Sequence, residues 1–134
     1  MLSNGGRDFL RAAQMLRSTN ECPLEPLYFL ICQSIELTLK AYVRGCGASK
    51  ETLKSIGHDL EKVLSEAQGE KLSHFFTLVS RQEIALGMIN IYYAGKDLQY
   101  TQVGSKSYPD LNILFGLAEE LQSRTRKFCE DHRD

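Results

Sequence analysis

An all-α domain is predicted by three features of the chain. Apolar residues recur three and four apart through successive stretches of ten to twenty residues, which is the spacing of one helix face. One stretch, from Pro26 to Arg44, is apolar on nearly every side, as a helix at the centre of a bundle must be. Little in the chain shows the strict apolar/polar alternation of a half-buried strand. With 134 residues, positions 1–134 form a single domain that buries roughly two-thirds of its unfolded surface. The expected architecture is an up-and-down bundle of four to five helices.

The first helix is expected from about Gly6 to Thr19, with Phe9, Ala12, Ala13 and Leu16 along one face. Pro23 and Pro26 mark the turn that follows. Pro26 suits a first helical turn, where its missing N–H has no partner to lose. The second helix, Pro26 to Arg44, carries Leu27, Phe29, Leu30, Ile31, Ile35, Leu37, Leu39, Tyr42 and Val43. Gly45 and Gly47 stop it, because glycine accepts the left-handed backbone just past a helix end. A short connection leads to a third helix over Asp59 to Ala67, with Leu60, Val63 and Leu64 inward.

Gln68 and Gly69 break the pattern, and residues 70–93 read as one helix or two. Leu72, Phe75, Phe76 and Val79, then Ile84, Met88, Ile91 and Tyr92, are expected to carry the buried face. Gly87 weakens the second half by about 1 kcal/mol relative to alanine. Residues 94–108 lack helical period and are long enough for a functional loop. The last helix starts near Pro109, and Leu111, Leu114, Ala118, Leu121, Thr125 and Phe128 form a narrow seam for helix-on-helix packing. Such stripes exceed what the helices of one subunit have to cover, so a two-fold homodimer interface is expected on one of them, notably this one.

Composition narrows the function classes. Apolar residues at 43% and charged residues at 25% are those of an ordinary folded domain, which excludes a disordered chain. A net charge of −1 argues against coating nucleic acid by bulk electrostatics, though a local basic patch is compatible with it. No apolar run is long enough to span a bilayer, and the N-terminus lacks a signal peptide's apolar core, so a cytoplasmic protein without membrane contact is expected. The four cysteines form no Cys-x-x-Cys pair and stand at no zinc spacing with a histidine, so neither metal nor cofactor is expected. Cys32 reads as a small core residue.

Polar residues interrupt the central helix at Gln33, Glu36 and Lys40, close to one stripe, with Glu36 and Lys40 an i,i+4 pair in the favoured order. On so apolar a helix the three are expected to be partly buried together, opposite Arg44 or Arg81. They read either as a polar cluster that fixes bundle register, or as the floor of a ligand pocket. In the second reading Lys96, Tyr100 and Lys106 complete the pocket, and an aromatic-basic loop of Tyr93, Lys96, Tyr100, Lys106 and Tyr108 stacks a base and holds a phosphate. His58 stands where the third helix begins, so His58 or Asp59 is read as its cap, with His58 alternatively gripping a nucleotide phosphate at that helix start.

The segment ICQSIELTLKAYVRGCG, followed by GHDLEKVLSEA, resembles the second and third helices of HEPN domains, helical modules named for nucleotide binding in higher eukaryotes and prokaryotes. The residues that carry the likeness are Gln33, Glu36, Leu39, Lys40 and Ala41, then Gly45, then His58, Asp59 and Leu60. Tyr92-Tyr93 and Tyr108-Pro109-Asp110 are similar to the tail of many members. The resemblance implies a helical bundle that dimerises and is associated with RNA cleavage or nucleotide transfer, including with a nucleotidyltransferase or toxin–antitoxin partner protein. In active members it further implies a metal-independent ribonuclease whose Arg-x4-6-His motif meets its copy across the dimer. Here Arg126 and His132 fit that spacing. Lys127 stands where an asparagine or aspartate often follows the arginine. Six steps of about 100° also set the two side chains roughly 120° apart on one helix. The expected function is therefore a non-catalytic dimeric module that binds a nucleotide, RNA or a partner protein, with the Arg126/His132 endoribonuclease as the alternative.

Overall fold

The computed structural model describes residues 2–95 and 107–132. Among them stand six α-helices and no strand: α1 (Leu2–Arg17), α2 (Leu24–Gly45), α3 (Lys50–Ile56), α4 (Leu60–Gly69), α5 (Ser80–Ala94) and α6 (Leu111–Asp131). The all-helical bundle expected from the periodicity is the fold.

The central post is α2, which packs against α1, α4 and α6. Leu27, Ile31, Ile35 and Leu39 run down it with at most 1% of their surface exposed. Burial on this scale contributes roughly 1.5–3 kcal/mol for each such side chain. Small and hydroxylated residues let the helices beside it approach closely. A Cβ on Gly6 of α1 would overlap Thr38 Oγ1 on α2 and lie 3.1 Å from the Thr38 amide nitrogen. Ser34 donates to the Gly6 carbonyl at 2.7 Å, and Gln122 of α6 donates to Thr38 Oγ1 at 2.9 Å. Three helices are thus keyed together by polar contacts inside an apolar core.

Helix α3 fills what the sequence reads as a plain connection. It spans 7 residues and buries only Ile56 fully, so its apolar face is too short to show a period. Its cap is legible in retrospect, since the Ser49 hydroxyl accepts from the Thr52 amide at 3.1 Å. By carrying the chain back along α2, α3 lets α4 run beside α2 in the same direction. His58 meets Glu36 near the start of α4, and the Tyr42 hydroxyl donates to the Glu70 carbonyl at its end, at 2.7 Å.

Residues 70–93 resolve into a short 3-10 turn, Leu72–His74, and then α5. The expected face of α5 points the wrong way. Ile84 and Ile91 are 63% and 71% exposed, Met88 36%, and Val79 just before the helix 51%. The buried residues are Gln82, Ala85, Leu86, Ile89, Asn90 and Tyr93. This helix is apolar on two sides, so periodicity does not select between them. The inward side is the one whose polar residues find partners: Gln82 donates to Glu120 at 3.0 Å, and Asn90 accepts from the Leu60 amide at 2.8 Å.

The seam of α6 is consumed inside the subunit. Leu114, Leu117, Ala118, Leu121, Thr125 and Cys129 are buried, and Phe128 packs its ring against Tyr42 and Phe75, with centroids 5.0 and 5.3 Å apart. The surplus apolar stripe therefore belongs to α5, as Ile84, Met88 and Ile91, rather than to α6.

Candidate functional site

Glu36 is the centre of the most developed polar cluster. It sits mid-way along α2 with 2% of its surface exposed, where an unpaired carboxylate is costly. Its two oxygens accept three side-chain hydrogen bonds. Lys40, one turn on, donates to Oε2 at 2.9 Å. Tyr93 of α5 donates to Oε1 at 2.5 Å, and His58 Nδ1 reaches the same oxygen at 2.9 Å.

Each donor is placed by its own local structure. Lys40, 9% exposed, also donates to the Gly57 carbonyl at 2.7 Å. That carbonyl faces α2 because Gly57 turns the chain at φ 64°, a left-handed conformation that side chains disfavour. The next residue is His58. Asp59 then caps α4, accepting from the Lys62 amide at 3.1 Å and from Asn90 Nδ2 at 3.0 Å. Tyr93 stands three residues after Asn90 on the same buried side of α5. Burial, and next the neighbouring Glu36, push its hydroxyl well above the ordinary tyrosine range, so it remains a donor.

The charges determine the histidine tautomer. A carboxylate paired with Lys40 has only acceptors to offer, so His58 carries its proton on Nδ1. The side chain is 48% exposed, and the ring stands edge-on to Tyr93 with centroids 6.1 Å apart. Nε2 then stands at the protein surface, an acceptor in the neutral ring and a donor in the protonated one, aimed by a buried carboxylate. This is the arrangement that orients an imidazole for binding or for proton transfer.

Three of the residues singled out from sequence, Glu36, Lys40 and His58, are thus brought together. Gln33 is half-buried one turn earlier and makes no side-chain hydrogen bond among the described residues. Lys96, Tyr100 and Lys106 lie outside the described residues. Arg44 and Arg81 are not the partners of Glu36: Arg44 Nη1 donates to the Ala48 carbonyl at 2.7 Å, and Arg81 is exposed at the start of α5. Of the two cap candidates, His58 and Asp59, it is Asp59 that caps α4. Lys40, held by two acceptors, has little reach left for a phosphate. Asn90 and Gly57 are parts of the cluster that the sequence does not single out, and Tyr93, expected to stack a ligand, turns its hydroxyl inward to Glu36. The available signal was a lone Asn and a Tyr three apart within an apolar helix.

Arg126 and His132 do not form a site within one chain. Arg126 is exposed on α6. His132 follows the helix, its Nδ1 2.8 Å from the Phe128 carbonyl and its ring stacked on Phe128 at 4.2 Å. It lines an apolar groove beside α3, whose walls do not include Arg126. Among the described residues no group of three His, Cys, Asp or Glu side chains is placed to hold a metal ion, and no helix is long and apolar enough to cross a membrane.

No protein-family model, curated protein or solved structure matches this chain.

Proposed function

We propose that this chain is a non-catalytic HEPN-like helical module that works as a homodimer and binds a nucleotide or RNA beside His58. The observation that carries the reading is the imidazole Nε2 held at the surface by Glu36 from within the core. A surface imidazole next to a tyrosine ring can hydrogen-bond a ribose hydroxyl or a base edge. Glu36 and Lys40, with the Gly-His-Asp-Leu residues, carry the likeness to HEPN domains and also build this polar cluster. The dimer contact is assigned to the outer face of α5, where Ile84, Met88 and Ile91 align at i, i+4 and i+7. A nucleotidyltransferase or toxin–antitoxin partner protein would then meet the assembled dimer.

Fluorescence anisotropy with a short single-stranded RNA, and NMR titration with adenosine and AMP, test the binding. His58→Ala should weaken it by on the order of tenfold, the loss of one good polar contact, without unfolding a half-exposed position. Binding unchanged in this variant, or absent for every nucleotide and RNA at millimolar concentration, removes the proposal. The ribonuclease alternative requires Arg126 and His132 to meet across two copies. Cleavage of RNA by the wild type that disappears in His132→Ala would favour it instead.

A further inference from the structure

A second concave site lies on another face of the bundle and is independent of the His58 reading. The start of α1, the C-terminal half of α2, α3 and the end of α6 enclose a groove of about 490 Å³. Leu37, Ala41 and Leu53 give it an aliphatic lining, with the buried Cys129 beneath. Burial pushes the Cys129 thiol up to about 11, so the floor is uncharged at neutral pH. Charge is confined to the rim and is mostly positive. Lys50 and Lys54 stand one turn apart on α3, with Arg44 and His132 beyond them and Glu130 the single acid among the lining residues. Lys50 and Lys54 are exposed and form no ion pair among the described residues.

An oily slot edged by cations is complementary to an alkyl chain that ends in an anion. The size agrees with a small ligand, since such sites run from about 300 to 1,000 Å³. An apolar cavity of about 150 Å³ holds the six carbons of benzene, so this groove has room for an alkyl chain of about ten carbons or more. A protein partner is less well matched: stable interfaces use about 20–30 residues a side, and 13 residues line the groove. The geometry points to a binding site for a medium-chain fatty carboxylate, its chain along Leu37, Ala41 and Leu53 and its head between Lys50 and Lys54.

The test is isothermal titration of the full chain with octanoate, decanoate and dodecanoate below their micelle concentrations. Affinity should rise with chain length, by up to about fourfold per methylene that enters the groove. Decanol and decyltrimethylammonium, with the same chain and no negative head, should bind weaker by on the order of tenfold. The double variant K50E/K54E changes two exposed positions, so its fold should survive, as circular dichroism will verify. It should lose decanoate affinity by on the order of tenfold while keeping that for decanol. In the wild type, methyl signals of Leu37 and Leu53 should move on adding decanoate. Absence of binding by all three carboxylates, equal binding of the ammonium amphiphile, wild-type affinity in K50E/K54E, or capture of an acidic amphipathic peptide but no carboxylate would each overturn the assignment.

Discussion

Replacing Glu36 by glutamine probes the polar centre without changing its shape. The amide keeps one acceptor but sets an NH2 group against either Lys40 or the pair formed by His58 and Tyr93, all donors in the native arrangement. It also leaves the Lys40 ammonium, 9% exposed, without its counter-charge. Removing one partner of a buried ion pair costs about 3–5 kcal/mol. Lys40 retains the Gly57 carbonyl at 2.7 Å, so the low end applies, about 3 kcal/mol. For a domain of this size that lowers Tm by roughly 10 °C. Lys40→Met should cost less, because Glu36 keeps its tyrosine and histidine donors. The pair E36Q/K40M should be more stable than the sum of the single losses by about 2 kcal/mol, since no charge is then stranded. Urea denaturation of the four proteins, with the m-value checked for constancy, measures this cycle. A loss under about 1 kcal/mol for Glu36→Gln, with no coupling to Lys40, would refute the buried pair as described.

Other parts of the structure make separate predictions. Gly6→Ala should destabilise by about 1–3 kcal/mol, because its Cβ meets Thr38 at the α1–α2 crossing. Gly116→Ala, with nothing within 4 Å of its Cβ, should stabilise by about 0.5–1 kcal/mol, and thermal melts compare the two. Ile84→Asp changes a 63% exposed residue, so it should shift light scattering from dimer to monomer while altering the unfolding free energy of the subunit by less than about 0.5 kcal/mol. The Cys129 thiol is raised by burial from 9.0 to about 11. Its contribution to stability is therefore complete below pH 9 and falls as pH climbs towards 11, because the unfolded thiol ionises first. Cys129→Ala should flatten the pH dependence of urea unfolding in that window.

Residues with one physical role were legible in the sequence, and residues with two were not. Leu27, Ile31, Ile35 and Leu39 had no placement except the core, and the structure puts them there. Glu36 and Lys40 were readable as a buried pair because charges on an apolar helix must find partners, whereas His58, 22 residues on, was not legible as the third member. Helix α5 was misread because Ile84, Met88 and Ile91 are as apolar as Leu86 and Ile89. The choice between the faces was made by Gln82 and Asn90, whose partners on α6 and α4 are remote in sequence. Tyr93 was missed as the third donor to Glu36 for the same reason: 57 residues separate them. Helix α3 was hidden by its length, since one fully buried residue sets no period.

The account rests on Glu36 reaching out of the core to aim His58. Long-range proton–nitrogen NMR of the three histidines reads this directly. For the neutral form of His58 the expected spectrum is a single Nδ1–H tautomer, lost in Glu36→Gln, with Nε2 signals that move on adding adenosine. A His58 ring that shows the tautomer mixture of a free peptide, unchanged by Glu36→Gln and by nucleoside alike, would contradict it.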